Sequence, residues 1–177
     1  PGGKTTHIAE LMADQGKIWA CDRSASRLKK VQQNAQRLQL QSIQISTGDS
    51  RDLPEFTKMA NAVLLDAPCS GNGTLHRRPD IRWRMTPEKV QELSILQKEL
   101  LEHTATWVKA GGVLVYATCT LNPQDNEAVI QWFLEGHSQW QIEPPTLSFL
   151  KAFSTPEGWL KVVPYRDQMD GFFMVRL

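Results

Sequence analysis

The chain has 177 residues, enough for one globular domain with a single sizeable core. Its composition is ordinary for such a domain, 41% hydrophobic and 22% charged, and a net charge of +1 neither demands nor excludes a nucleic acid, so any hold on phosphate must come from local clustering. No apolar run approaches membrane-spanning length. Three widely spaced cysteines, Cys21, Cys69 and Cys119, argue against a disulfide framework or a zinc site and suit the reducing cytoplasm. The four histidines show no metal spacing, and an opening Pro1 in place of Met puts the natural start upstream.

In chain order, Pro1-Gly2-Gly3-Lys4 precedes a helical stripe of Ile8, Leu11 and Met12. Ile18 to Cys21 is a short apolar strand ending at Asp22. Leu28, Val31, Ala35 and Leu38 then mark an amphipathic helix behind a Ser24 cap. Ile43 and Ile45 alternate with polar residues in a strand ending near Gly48-Asp49, and Ala62 to Leu65 is a buried strand ending at Asp66. Ala67 to Met85 reads as a long loop. Thr86-Pro87 caps and opens a helix carrying Val90, Leu93, Leu96, Leu100 and Leu101, with Gly111-Gly112 as its stop. Val113 to Thr118 is a continuous apolar strand. Asn122-Pro123 opens a helix through Val129, Ile130 and Phe133, and Gly171 to Leu177 closes the chain as a strand.

Apolar strands alternating with amphipathic helices predict an α/β fold, a largely parallel sheet with helices on both faces. Ligands in such sheets sit beyond the carboxyl ends of the strands. The chemically unusual residues gather at those ends: Asp22, Asp49, Asp66 to Cys69, and Thr118-Cys119.

Each motif has a bland alternative. Pro1-Gly2-Gly3-Lys4 fits a nucleotide-binding turn, because Gly lets backbone N–H groups approach a ligand at a helix N-terminus, but it equally fits a plain turn. Asp22 fits a ribose holder or a helix cap; Asp49 fits a ligand group or a turn residue. Cys21, inside a strand, reads as a small buried hydrophobe. Asp66-Ala67-Pro68-Cys69-Ser70-Gly71 is more specific, since an acid, a rigid Pro and a thiol at a strand end suit reactivity better than packing. Thr118-Cys119-Thr120 is the second such end, and a thiol near a helix N-terminus has its pKa lowered toward the thiolate. The two ends are expected to be sheet neighbours facing one cleft. His76 to Arg84 interleaves Arg77, Arg78, Arg82 and Arg84 with Trp83. Solvated loop and nucleic-acid contact both fit, and the pairing of Arg with a stacking aromatic favours the latter.

Four segments together, PGGKTTHIAE, LLDAPCSGNGTLHRRPDIRW, YATCTLNPQDNE and GFFMVRL, resemble the RNA cytosine-5 methyltransferases, particularly the bacterial Sun/Fmu type acting on 16S ribosomal RNA. Asp125 stands where such proteins often carry Glu. The family's first strand and its amino-terminal RNA-binding region have no counterpart in these 177 residues. The resemblance implies a Rossmann-like, S-adenosylmethionine-dependent methyltransferase catalytic domain over residues 1–177. It implies that Pro1, Gly2, Gly3 and Lys4 line the methionine part of S-adenosylmethionine, Asp22 holds the ribose, and Asp49 the adenine side. Asp66 would sit beside cofactor and target base, Cys119 would be the nucleophile, and Cys69 would assist product release. The implied partner is ribosomal RNA, with no metal and no membrane.

Three rivals stay open on sequence. A DNA cytosine-5 methyltransferase would use the Pro-Cys thiol as nucleophile. A nicotinamide dehydrogenase needs a GxGxxG turn that is absent here. A non-catalytic RNA-binding module would explain the Arg-Trp loop but leave two strand-end thiols without purpose.

Overall fold

The computed structural model describes all of residues 1–177, which pack as two compact units, Pro1–Glu55 and Phe56–Leu177. The first contains α1 (Gly3–Leu11), β1 (Ile18–Asp22), α2 (Ala25–Arg37) and β2 (Ile43–Thr47). Strands β1 and β2 pair in parallel, with Ile18 opposite Ile43 and Asp22 opposite Thr47. Their small core is Ala20, Leu28 and Val31 with Ile43 against it. Helix α2 follows the sequence expectation: Leu28, Val31 and Ala35 are buried, and the Ser24 side chain accepts from Arg27 N–H at its N-terminus.

Helix α1 departs from its expected stripe. It buries Thr6 and Ala9, while Leu11 and Met12 are exposed. Small side chains on the packed face let α1 lie close to α2, β1 and β2, which larger residues would prevent.

The second unit holds β3 (Ala60–Asp66), the short α3 (Ile81–Arg84), α4 (Pro87–Ala105), β4 (Val108–Thr118), α5 (Glu127–Gly136), β5 (Leu160–Val162), α6 (Pro164–Asp167) and β6 (Phe172–Arg176). Its sheet runs β3-β4-β6-β5. The β3–β4 pairing is parallel, as expected of a strand–helix–strand unit, whereas β6 runs antiparallel to both β4 and β5. Leu101, Leu114, Tyr116, Val129, Ile130, Phe133 and Phe173 are fully buried at its centre. Strand β3 lies at the sheet edge, so of the expected buried run Ala62 to Leu65 only Leu65 is buried.

Three further expectations shift. Helix α4 has its Thr86 cap and Pro87 start but ends at Ala105, six residues before the glycine pair assigned as its stop. There Thr104 and Thr106 hydroxyls donate back to the Leu100 and His103 carbonyls, each at 2.7 Å. Gly111-Gly112 instead lies inside β4, at a register shift against Ala60–Ala62. The Asn122-Pro123 segment forms turns, and α5 begins at Glu127. The loop from Ala67 to Met85 contains a 3-10 turn over Asn72–Thr74 and then α3. No helix is long and apolar enough to cross a membrane.

A Cβ on Gly112 would lie 2.8 Å from the Asn61 carbonyl and 2.9 Å from the Lys109 carbonyl, both backbone atoms that cannot swing away; one on Gly136 meets nothing within 4 Å. Gly112→Ala should therefore destabilise by about 1–3 kcal/mol, while Gly136→Ala should be within about 0.5 kcal/mol of the parent or slightly stabilising. Paired urea titrations check this; equal midpoints would contradict the close approach.

Candidate active site

The parallel pairing of β3 with β4 sets Leu65 opposite Tyr116 and Asp66 opposite Ala117. Both strands point their carboxyl ends the same way, so the residues that follow them meet. The Cys69 and Cys119 sulfurs are 3.5 Å apart, in contact but not joined by a disulfide, whose bond would be about 2.05 Å. Both thiols are half-buried, and the Asp66 side chain, at the end of β3, is exposed. The expectation of two neighbouring thiol-bearing ends therefore matches this geometry.

A buried polar frame holds the two thiol loops together. Asp125, fully buried, accepts from the Ser70 hydroxyl at 2.6 Å and the Ser70 N–H at 3.3 Å on one oxygen. Its other oxygen accepts from Gln97 Nε2 at 2.7 Å, and the same amide nitrogen donates to the Pro68 carbonyl at 2.8 Å. Tyr116 donates its hydroxyl to the Asp125 carbonyl at 2.6 Å. Ser70 Oγ and Thr120 Oγ1 lie 2.7 Å apart, which ties the residue after Cys69 to the residue after Cys119. Asn126 accepts from Thr118 at 2.5 Å and donates to the Thr120 carbonyl at 2.9 Å. Asn72 Oδ1 accepts from the Leu121 N–H at 2.8 Å, and Gly73 N–H donates to the Cys119 carbonyl at 3.2 Å. Every residue from Thr118 to Leu121 is thus held, on main chain or side chain, by the facing loop, by Asn126 or by the other thiol.

The electrostatics separate the three thiols. Cys69 is held well above the ordinary thiol range, first by its hydrogen bond with Cys119 and then by burial and the neighbouring sulfur. The hydrogen shared between the two sulfurs makes losing both protons unfavourable, and either sulfur can be its donor. Tyr116 is also raised well above its usual value, by burial, then Asp125, then Cys69. Cys21 is pushed up to about 11 by burial and by Glu55, which leaves almost no thiolate and fits a packing role. Cys119 precedes α5 by eight residues, so the expected thiolate stabilisation by a helix start falls away. The Cys69 thiol is the neighbour that can act instead.

In the first unit, Gly2 sits at φ +90° at the head of α1, and a Cβ there would come within 3.1 Å of Val31, so that turn demands glycine. Pro1, Gly3 and Lys4 are exposed around it. Asp22 ends β1; one oxygen accepts from Ser24 N–H at 2.8 Å and the other lies 3.3 Å from Arg27. Both readings of Asp22 therefore have a footing: it braces the α2 start and keeps acceptor capacity for hydroxyl groups, a carboxylate having about four lone-pair sites. Asp49, beyond β2, accepts from Arg51 Nε at 2.9 Å and Nη2 at 2.6 Å, and these bonds pull its pKa down to about 2. Acceptor-rich carboxyls and an open glycine turn suit a nucleoside carrying ribose hydroxyls and a carboxylate-bearing tail.

The cationic loop is less uniform than its sequence. Arg77 pairs with Asp170, which His76 also approaches at 3.2 Å, and Arg84 pairs with Asp80. Arg78 and Arg82 are exposed without an acid partner, and Trp83 is 87% exposed. Sequence reasoning missed Ser70, Gln97 and Tyr116 as site-builders and noted Asp125 only as a departure. Gln97 carried a signal, because it falls on the Val90–Leu93–Leu100–Leu101 face of α4, where a polar side chain must find partners.

A family model described as 16S rRNA methyltransferase RsmB/F matches residues 1–177. The chain belongs to that family. A Synechocystis protein named "Probable ribosomal RNA small subunit methyltransferase B" is 49% identical, across the whole chain and 41% of the relative. A ribosomal RNA small subunit methyltransferase F from Escherichia fergusonii is 39% identical over the whole chain and 38% of its own length. The chain thus spans about two fifths of these curated relatives. Among solved structures, that of PH0851 matches with a TM-score of 0.92 at 39% identity, covering 99% of this chain and 40% of that one. NSun6 from Pyrococcus horikoshii, solved with SFG, matches at 0.84 and 29%, covering 99% and 44%. A SAM dependent methyltransferase from Aquifex aeolicus, 12% identical at a TM-score of 0.55, shares the fold alone. The architecture is the Rossmann-like fold of S-adenosylmethionine-dependent methyltransferases.

Two outcomes test this geometry. Asp125→Ala strands three buried donors and should cost roughly 2–5 kcal/mol in urea unfolding, against about 1–2 kcal/mol for Ser70→Ala; parent-like stability of Asp125→Ala would contradict the clamp. Iodoacetamide at pH 8 should modify Cys21 slowly, as read by peptide mapping, since burial holds it as a thiol; labelling of Cys21 at the rate of a free thiol would contradict that burial.

Proposed function

We propose that this chain is the catalytic domain of an S-adenosylmethionine-dependent enzyme that methylates carbon 5 of a cytosine in 16S ribosomal RNA, in the cytoplasm, through a covalent cysteine adduct. The observation that carries the reading is the 3.5 Å contact between two thiols that follow neighbouring parallel strands, the first of which ends at Asp66. Carbon 5 of cytosine is a poor nucleophile within an aromatic ring. Addition of the Cys119 sulfur to carbon 6 forms a C–S bond and moves the ring electron pair to carbon 5, making it enamine-like. Asp66 hydrogen-bonds the ring nitrogen as charge develops there, as a general acid when protonated. S-adenosylmethionine, when bound, would supply the sulfonium methyl group that carbon 5 takes as its S–CH3 bond breaks, the bonding pair staying on the sulfur and leaving it a neutral thioether. A base then removes the carbon 5 proton, the electron pair restores the ring double bond, and the Cys119 sulfur leaves. Cys69 assists that release and, as a retained thiol, donates toward the Cys119 sulfur.

In the first unit we assign the Pro1-Gly2-Gly3-Lys4 turn to the methionine part of the cofactor, Asp22 to its ribose and Asp49 to its adenine side. The target base must leave its stack to react, which single-stranded or flipped RNA allows. Arg78 and Arg82 with Trp83 are assigned to RNA; Arg77 and Arg84 must exchange an acid partner for phosphate to take part. The non-catalytic binding module leaves the paired thiols without a role. The DNA-type mechanism reverses the roles of the thiols, so the variant that accumulates an RNA adduct separates the two.

Three measurements on the full-length protein test the reading. Cys119→Ala should abolish methyl transfer from labelled S-adenosylmethionine and form no RNA adduct. Cys69→Ala should accumulate a protein–RNA species that survives denaturing electrophoresis, and adduct formation by Cys119→Ala alone would reverse the roles. Asp22→Ala should weaken cofactor binding in calorimetry by about tenfold, the worth of one charge-assisted hydrogen bond, and unchanged affinity would remove the ribose assignment. Arg78→Ala should reduce the salt slope of RNA binding by about one, against a smaller change for Arg77→Ala, whose guanidinium is already paired with Asp170; equal slopes would contradict the distinction.

A further inference from the structure

Within the second unit a cleft of about 630 Å³ opens beside the thiol loops without including either thiol. This is within the size range of small-molecule sites. Ser70, the residue after Cys69, forms part of its wall, and so does Asn72, which holds the main chain two residues past Cys119. Leu75, Ile81, Met85 and Pro123 supply apolar walls of the kind on which a base packs. No acidic side chain lines it.

Three polar side chains of the cleft are biased toward donating, whereas Ser70, Thr86 and Gln124 in the same wall can act in either sense. Asn72 Oδ1 accepts from the Leu121 N–H at 2.8 Å, and Asn122 Oδ1 accepts from the Gln124 N–H at 3.0 Å. A backbone N–H can only donate, so both amides are oriented with their oxygens spent and their NH2 groups left over. Arg82, also lining the cleft, is donor-only. Three side chains thus offer hydrogens, with no carboxylate to accept them.

We propose that this cleft holds a nucleotide flanking the target cytosine and selects a keto base there, guanine or uracil, over adenine. The proposal rests on the reading that the chain acts on RNA, and adds a specificity pocket to it. Guanine O6 and N7 or uracil O4 would accept from the amide NH2 groups and Arg82, as guanine accepts from Arg elsewhere. Adenine would present its own N6 donors to donors and leave buried groups unpaired. Contacts to flanking nucleotides commonly set sequence context in enzymes that act on unstacked bases.

The test uses the full-length protein and hairpin RNAs copying the mapped ribosomal site, with each neighbour of the target cytosine set in turn to guanine, inosine or adenine. Binding is read by fluorescence anisotropy and methylation by labelled S-adenosylmethionine. At one of the two neighbours, guanine and inosine should both bind roughly tenfold tighter than adenine, the worth of one good paired contact. Asn122→Asp, which keeps the acceptor for Gln124 N–H but removes the donating amide, should cut that ratio to within twofold, and so should Arg82→Ala. Both variants should keep the parent's melting temperature and cofactor affinity. Equal binding of guanine and adenine at both neighbours would overturn the proposal, as would a preference unchanged in both variants. A keto preference in binding with no methyl transfer to any RNA would uphold the cleft and sink the reaction instead.

Discussion

A fully buried Asp125 side chain, bonded on one oxygen by Ser70 and on the other by Gln97, is the joint on which the thiol geometry depends. Burying an acid without partners costs several kcal/mol, so its donors are obligatory. Those donors come from two different places, the loop after β3 and the middle of α4, while Asp125 itself follows β4. Satisfying one carboxyl group therefore locks three chain segments at once. Tyr116, reaching from β4 to the Asp125 carbonyl, adds a fourth restraint. The result is a pair of sulfurs in contact at a place where neither loop, by its own turn chemistry, would have to put them.

That arrangement links fold to chemistry. Parallel pairing of β3 and β4 brings two carboxyl ends side by side, and the polar frame beneath converts adjacency into contact. Contact makes the two thiols unequal, because a proton shared across 3.5 Å is costly to lose twice. In the proposed reaction one sulfur attacks while the other keeps its hydrogen, a division of labour that a single strand-end thiol could not provide. The same frame spends the side-chain oxygen of Asn72 on Leu121 N–H and the Thr120 hydroxyl, so its NH2 group is left over for the cleft next door. The proposed chemistry and the proposed base preference thus draw on one network.

Much of this was legible in the sequence. Leu28, Val31 and Ala35 at helical spacing behind Ser24 marked α2, because periodicity and cap agree. The acids and thiols at strand ends marked the candidate site, where the two thiols do meet, and the motif resemblance supplied the family. The misplacements have local causes. Gly111-Gly112 is a helix stop and a strand irregularity in equal measure, and only the β3 register, which shifts between Ala60 and Ala62, decides which. The start of α5 slipped by several residues because Asp125 and Asn126 turn inward to bond the strand ends, a tertiary demand no local signal carries. The Arg-rich loop looked uniformly cationic because its partner Asp170 lies some 90 residues away, and sequence spacing says nothing of that. Asp125 was hidden for the same reason, since a buried acid in a turn sequence looks like an ordinary turn acid until its donors are seen.

The account stands or falls on which sulfur attacks. RNA carrying 5-fluorocytidine at the target position removes the proton that must leave carbon 5, so the adduct formed by the attacking thiol cannot resolve after methyl transfer. Digesting the trapped species from the full-length protein and sequencing the nucleotide-bearing peptide by mass spectrometry names the nucleophile directly. The predicted result is a methylated nucleotide on the peptide containing Thr118-Cys119-Thr120. A nucleotide on the Pro68-Cys69-Ser70 peptide, or no trapped species while 5-methylcytosine is still formed on unmodified RNA, would contradict it.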